Sequence, residues 1–308
     1  MVYHYLSVTD LSRPATEALL KRARDLKHEW QGGGHPTPTL QGKTLALVFE
    51  KPSLRTRVAF EAGMAQLGGY GSYLSANDID MGGRESVPDV ARNLSRWVQV
   101  IAARVFRHAT VEELSRYATI PVINALSDEE HPCQALADML TILEHRGTLE
   151  GACLAYVGDS NNVCHSLMLL GGLLGIQVRV ACPPEYCPDP DFAARAERLA
   201  ADHGGTLHIT TVPDEAVEGA DAVYTDVWAS MGQEHEASRR RLTFKSYQVN
   251  APLLAQARPD ALVMHCLPAH RGEEIAADVL EGPQSVVFDQ AENRLHIQKA
   301  LLLTLLNL

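Results

Sequence analysis

The stretch TLALVFEKPSLRTRVAFEAGMAQL, residues 44–67, changes period halfway along. Its first six residues are a short apolar run, the pattern of a buried strand. Beyond Pro52, the residues Phe60, Gly63, Met64 and Leu67 recur at i, i+3, i+4 and i+7, which is the stripe of an amphipathic helix. Ser53 suits the N-cap of that helix, with Leu54, Arg55 and Thr56 as its first residues. Strand, turn and helix in this order form the repeating unit of an α/β protein.

The unit recurs along the chain. Further strands are expected at 70–74, 100–103 and 121–124, and a second set at 152–157, 177–181, 222–225, 261–265 and 285–288. Leu136, Met139, Leu140 and Leu143 give a second helical stripe. Strands alternating with helices predict parallel sheets covered on both faces, here two doubly wound α/β domains. The division is expected in the helix after His131, with 1–133 as the first domain and 134–290 as the second. A leucine-rich C-terminal helix, 291–308, is expected to cross back to the first domain.

The chain has 308 residues, enough for two domains of ordinary size, and 46% of them are hydrophobic against 21% charged, the profile of a water-soluble globular protein. A formal charge of −11 argues against a nucleic-acid partner, which needs a basic face. The start, MVYHYLSVTDLSRP, lacks the basic-then-apolar order of a signal peptide, and no apolar run reaches membrane-spanning length. A cytoplasmic protein without a membrane role is expected. The six cysteines, 133, 153, 164, 182, 187 and 266, show neither a CxxC pair nor zinc spacing, so thiols are expected and no metal. Cys182 and Cys187 flank a proline-rich loop.

Ligands of open α/β sheets bind at the carboxyl ends of the strands, and five polar clusters fall at such ends. In SLRTR, the N–H groups that open the helix, the Arg55 fork and the hydroxyls of Ser53 and Thr56 suit a phosphate; the alternative is a capped helix with surface arginines. In HPCQ (131–134), Pro132 fits N1 and Gln134 fits N3, leaving His131 at the mouth of a helix as a donor to a carbonyl oxygen or merely as a cap. VGDSNN (157–162) follows a strand and invites a dinucleotide reading, but only Gly158 stands where three glycines are needed. In DVWASMG (226–232), Asp226 can meet an ammonium group or belong to a turn. In HCLPAHRG (265–272), Cys266 as a covalent nucleophile needs an adjacent base.

SLRTR, HPCQ, GDSNN, DVWASMG, HCLPA and FDQAENR, in this order, resemble the ornithine carbamoyltransferases of the aspartate/ornithine transcarbamoylase superfamily, over about residues 5–305. SLRTR and HPCQ are of the type shared across the superfamily, while DVWASMG and HCLP point to ornithine. The resemblance implies a carbamoyl-phosphate domain, an ornithine domain and a homotrimer with active sites at subunit interfaces. It implies carbamoyl transfer to L-ornithine giving L-citrulline, in arginine metabolism, with no metal or organic cofactor. By the same resemblance, Ser53, Leu54, Arg55, Thr56 and Arg104 hold the phosphate, and Arg104, Thr56 and His131 hold the carbonyl oxygen. Gln134 and the carbonyls near Cys266 and Leu267 hold the carbamoyl NH2, and Arg294 is a further carbamoyl-phosphate contact. Asn162, Asp226, Ser230 and Met231 hold ornithine, and Cys266 beside Asp226 accepts a proton or anchors the amine. Two rivals share the fold, transfer to putrescine or to an N-acylated ornithine. Asp80 stands where many relatives carry a glutamine that reaches a neighbouring subunit, and a carboxylate there would repel a dianion unless it turns away or Arg84 offsets it. Arg57 is expected to pair with an acid such as Glu50.

Overall fold

The computed structural model describes residues 3–34, 37–229 and 236–308. The chain divides into two compact units, Met1–Leu140 with Glu292–Leu308, and Thr141–Ala291. The division falls inside the helix Pro132–Arg146.

The first unit contains a four-stranded sheet of β1 (Thr44–Phe49), β2 (Tyr70–Ser75), β3 (Val100–Arg104) and β4 (Val122–Leu126), ordered β2-β1-β3-β4. Each pairing is parallel, with Thr44 opposite Tyr70 and Val48 opposite Ala103. Ala46, Val48, Ile101 and Ala103 pack with Val90, Ala91 and Leu94 of the helix Val87–Trp97 and with Val111 and Leu114 of the helix His108–Tyr117. The C-terminal helix, Val287–Leu305, gives this unit its residues from Glu292 onward. There Asn293 Oδ1 accepts from Lys27 Nζ at 2.8 Å, and Lys299 Nζ donates to Gln66 Oε1 at 3.0 Å.

The second unit is built on β5 (Cys153–Val157), β6 (Gln177–Ala181), β7 (Thr206–Thr210), β8 (Ala222–Thr225) and β9 (Leu262–His265), ordered β7-β6-β5-β8-β9 and again parallel throughout. The helices Asn162–Leu174 and Pro190–His203 pack closely. A Cβ on Gly172 would lie 2.7 Å from the Ala196 carbonyl oxygen, so only glycine permits that approach.

Both sheets change direction in strand order once. From β1 the chain moves outward to β2, then returns to β3 on the other side of β1; from β5 it moves to β6 and β7, then returns to β8. Each reversal opens a crevice at the carboxyl ends of the two flanking strands.

Two expectations need correcting. The segment 285–288 is not a strand: Ser285 makes one isolated bridge to Val263, and the chain then enters the C-terminal helix at Val287. The fifth strand of the second sheet is instead β7, absent from the sequence reading. It lies at the sheet's edge with no fully buried residue, so its sequence, TLHIT, carries no continuous apolar run. Among the described residues, no helix is long and apolar enough to cross a membrane.

Candidate active site

In the first unit, the polar side chains gather where strand order reverses, at the ends of β1 and β3. Ser53 caps the helix Leu54–Gln66, its Oγ accepting the Thr56 N–H at 3.2 Å. One N–H of the expected phosphate cradle therefore already has a partner, and the Ser53 hydroxyl hydrogen is left to act as a donor. Leu54 is 73% exposed, so its side chain contributes nothing to packing and its backbone is what the helix start uses. Glu50 joins the two loops, its Oε2 accepting the Phe106 N–H at 2.6 Å and its own N–H donating to the Arg104 carbonyl at 2.9 Å.

Arg104 ends β3 at a register shift between Ala103 and Arg104, an irregularity of the kind that re-aims a side chain. It is buried at 8% exposure. Arg294, 2% exposed, donates through Nη1 to Gln134 Oε1 at 2.6 Å and through Nη2 to Thr56 Oγ1 at 3.0 Å. Gln134 Nε2 donates to the buried Asp138 Oδ1 at 2.7 Å, which fixes the amide with its oxygen toward Arg294. His131 precedes the helix Pro132–Arg146 and its carbonyl accepts the Gln134 and Ala135 N–H groups. Burial holds the His131 pKa well below its ordinary value, and the positive charges of Arg294, Arg104 and Arg55 depress it further. His131 is thus a neutral imidazole at pH 7. Ser53, Leu54, Arg55, Thr56, Arg104, His131, Gln134 and Arg294 all belong to this unit.

One sequence expectation around this cluster changes, and Asp80 follows one of its alternatives. Arg57 pairs with Glu61, one helical turn on, at 3.1 Å, and its guanidinium lies 3.7 Å from the centroid of the Tyr73 ring; Glu50 is engaged with Phe106 instead. Asp80 is turned into its own loop. It adopts a left-handed backbone with φ of 47°, and its Oδ2 accepts the Arg84 N–H at 3.0 Å.

The second unit repeats the arrangement with acidic character. Asn161, after β5, caps the helix Asn162–Leu174 by accepting the Val163 and Cys164 N–H groups, and its Nδ2 donates to Asp226 Oδ2 at 2.8 Å. Asp226, after β8, is buried; its Oδ1 accepts the Val227 N–H at 2.8 Å and the Cys266 thiol at 3.0 Å. The two strand ends flanking the second reversal therefore meet through Asn161 and Asp226, and Cys266 joins them from the end of β9. Asn162 is the first residue of its helix. Ser230 and Met231 lie outside the described residues.

Below Cys266 the turn is held by residues that sequence reasoning did not select. His265 is fully buried; its Nδ1 accepts the Leu267 N–H at 2.8 Å, so the ring proton sits on Nε2, which donates to the buried Glu274 Oε1 at 3.1 Å. That contact supports Leu267 at φ of 56°, a left-handed conformation unusual for a bulky residue. Gln290 Oε1 accepts the His265 N–H, and its Nε2 donates to the Tyr224 hydroxyl. Arg240 is the other residue missed. Buried in the helix Ala237–Thr243, it donates to Asp159 Oδ2 at 2.9 Å and to the Trp228 carbonyl at 2.8 Å, joining the loops after β5 and β8. The run RRR at 239–241 reads as a solvated helix face and gives no signal that its middle member is buried.

Asp226, His265 and Cys266 bring potential metal-ligand atoms within 4.8 Å of one another. Both ring nitrogens of His265 and both oxygens of Asp226 already take part in the hydrogen bonds above, which makes the cluster a structural network rather than an open coordination site. In a second grouping, His270, Glu273 and Glu274, Glu273 pairs with Arg241 at 3.1 Å.

Two parallel sheets, each with chemistry-bearing side chains at the carboxyl ends of its strands, define a two-domain α/β enzyme. Residues 3–144 match the carbamoyl-P binding domain of aspartate/ornithine carbamoyltransferase, and residues 150–305 match the Asp/Orn binding domain. The ornithine carbamoyltransferase of Thermococcus kodakarensis is 54% identical over 297 residues, 96% of this chain and 94% of the relative. The anabolic ornithine carbamoyltransferase of Pyrococcus furiosus is 53% identical over the same shares of each chain. A solved structure of ornithine carbamoyltransferase from Pyrococcus furiosus superposes with a TM-score of 0.95 at 52% identity, covering 97% of this chain and 96% of that one. The Thermus thermophilus enzyme superposes with a TM-score of 0.89 at 48% identity and 99% coverage of both chains. The chain belongs to the aspartate/ornithine carbamoyltransferase family.

The His131 environment has a measurable consequence. The unfolded chain protonates His131 near pH 6.5, whereas the native state resists the proton. Its contribution to stability is present above pH 6.5 and is lost as the pH falls below that value, by at most about 1.4 kcal/mol per pH unit. In NMR, the His131 ring resonance is expected to stay fixed from pH 8 to 6 while exposed histidines titrate; a midpoint near 6.5 for His131 would contradict this.

Proposed function

We propose that the chain transfers the carbamoyl group of carbamoyl phosphate to the side-chain amine of L-ornithine, releasing L-citrulline and phosphate. The observation that carries this reading is identity above 50%, over nearly the whole chain, to ornithine carbamoyltransferases. Residues 1–133 with 291–308 bind carbamoyl phosphate, and 134–290 bind ornithine.

The phosphate dianion sits on the start of the helix Leu54–Gln66, where backbone N–H groups and the dipole favour an anion. The Arg55 fork and the Ser53 hydroxyl add charge and donors, with Arg104 beside them. Arg104, Thr56 and His131 meet the carbonyl oxygen. That oxygen gains negative charge when the amine attacks, so fixed donors there favour the transition state over the ground state. His131 acts as a neutral N–H donor, in keeping with its depressed pKa. Gln134 Oε1 already accepts from Arg294, but an amide oxygen has a second lone pair for the carbamoyl NH2. The carbonyls near Cys266 and Leu267 accept from the same group.

On the amino-acid side, Asp226 meets the α-ammonium group, and Asn162, Ser230 and Met231 complete the recognition of ornithine. Fixing both reactants in line supplies roughly 7–11 kcal/mol of the barrier. The attacking amine must be neutral, although a free alkylamine has a pKa near 10.4, about that of lysine. It attacks the carbonyl carbon, the bond to the phosphate oxygen breaks, and the departing phosphate takes the last proton. The Cys266 thiol donates to Asp226, so its sulfur can anchor the amine by accepting an N–H, and it accepts a proton only by first passing its own to Asp226; in this reading Cys266 is not an acyl carrier. The family resemblance further supports a cytoplasmic homotrimer with active sites at subunit interfaces.

Citrulline-type product formation, measured with L-ornithine, putrescine and N-acetylornithine, tests the acceptor. A marked preference for L-ornithine is expected, because putrescine lacks the α-carboxylate and an acyl group removes the charge that Asp226 meets. Preference for either rival acceptor would overturn the assignment. For Arg104→Ala, kcat is expected to fall by about 10²-fold or more, the cost of losing one such donor; a loss confined to KM would refute its transition-state role.

A further inference from the structure

Two cysteines outside the transfer chemistry stand within reach of each other. Cys182 Sγ and Cys187 Sγ are 3.5 Å apart, although five positions separate the residues. Neither is placed by accident of a loose loop. Cys182 directly follows β6, and its N–H donates to the Thr210 carbonyl at 3.1 Å, extending the sheet. Cys187 closes the short 3-10 turn Pro184–Tyr186, in which the Tyr186 N–H returns to the Pro183 carbonyl at 2.8 Å. The turn is pinned on its other side, where the Tyr186 ring packs against Phe244 at 4.7 Å between centroids and beneath the Arg240 guanidinium. Both thiols are thus presented to each other by ordered backbone on either side.

Their surroundings differ in a way that fixes which one reacts first. Cys187 is exposed, whereas Cys182 is fully buried. Burial pushes the Cys182 thiol up to about 12, so it is a poor nucleophile toward anything in solution. A reagent can reach Cys187, and Cys182 can then act only on what is attached there, at contact distance.

We propose that Cys182 and Cys187 form a dithiol modification site that low-molecular-weight disulfides of the glutathione type convert to an intramolecular disulfide. The chemistry is two successive exchanges. The Cys187 thiolate attacks one sulfur of the reagent; that S–S bond breaks, a mixed disulfide forms on Cys187, and the first reagent thiol leaves with the proton that Cys187 gave up. Cys182 then loses its proton, attacks the Cys187 sulfur and expels the second reagent thiol, which takes that proton. Two protein thiols are oxidised and one reagent disulfide is reduced to two thiols. The product removes an ionisable group from a buried position and leaves no charge behind. The remaining cysteines do not compete for this role: Cys133, Cys153 and Cys164 are buried, and the Cys266 thiol is engaged with Asp226. None of this depends on which acceptor the enzyme uses.

Cleavage after Arg179 and Arg195 releases one peptide, residues 180–195, that carries both cysteines and no other. The folded full-length protein is incubated with oxidised glutathione, denatured, alkylated, cut with trypsin and weighed. The expected product is peptide 180–195 two hydrogens lighter than the reduced form, without alkyl groups, and restored to a doubly alkylated peptide by prior dithiothreitol. Cys187→Ser, a change at an exposed position, is expected to leave Cys182 reduced and alkylated after the same treatment. Cys182→Ser is expected to accumulate a stable glutathione adduct on Cys187. In the wild-type protein, a lasting glutathione adduct on Cys187 with Cys182 still a thiol, or double alkylation throughout, would overturn the proposal.

Discussion

A strand in an all-parallel sheet must be reached by a crossover, and the hand of that crossover fixes the face on which its helix lies. When strand order passes from β1 outward to β2 and then back to β3, the connecting helices leave on opposite faces. Such a reversal opens a crevice at the carboxyl ends of β1 and β3, and the same rule applies to β5 and β8 in the second sheet. The SLRTR loop after β1 and Arg104 at the end of β3 flank that reversal. The reversal sets the capped helix start at Ser53 near the end of the strand that carries Arg104, and Glu50 joins the two loops by hydrogen bonds.

The two crevices are furnished with opposite charge. The first collects buried guanidinium groups, with Arg294 spanning Gln134 and Thr56, and their field together with burial keeps His131 neutral. Burying cations is unfavourable unless hydrogen bonds and a counter-charge meet them, so this cluster suits a dianion. The second presents the Asp226 carboxylate, its oxygens ordered by donors from Asn161, Val227 and Cys266. Under the proposed function, an acyl phosphate and an ammonium-bearing amino acid are each met by charge of the opposite sign, the basic cluster in one unit and the Asp226 carboxylate in the other. Residues further from substrate keep these groups in place: Glu274 acts through His265 on the backbone of Leu267, and Arg240 acts through Asp159 and the Trp228 carbonyl.

Much of the fold was legible because central parallel strands are short apolar runs and their helices carry a 3.6-residue stripe. The edge strand β7 was not, since a half-exposed strand loses its apolar continuity, and the apolar segment 285–288 was mistaken for a strand because period alone cannot separate a strand from the buried entry to a helix. On the site, N-cap chemistry made Ser53 and the helix start readable from sequence. The roles of Arg104, Arg294 and Asn162 came from resemblance, because nothing local distinguishes an arginine that ends a strand from one on the surface. Arg57 went to Glu61 rather than Glu50 since an i,i+4 pair on one helix costs less ordering than a contact across a loop. Glu274 and Arg240 gave no signal, as burial of a charged residue is decided by tertiary packing alone.

The central claim is that the basic cluster at the ends of β1 and β3 receives carbamoyl phosphate through its dianion. Calorimetric titration of carbamoyl phosphate into the protein without L-ornithine tests it most directly, with Arg55→Ala as the comparison. Saturable binding at one site per chain is expected, weakened by about tenfold or more when the Arg55 fork is removed, the scale of one charge-assisted hydrogen bond. Absence of saturable binding until ornithine is added, or equal affinity in Arg55→Ala, would contradict it.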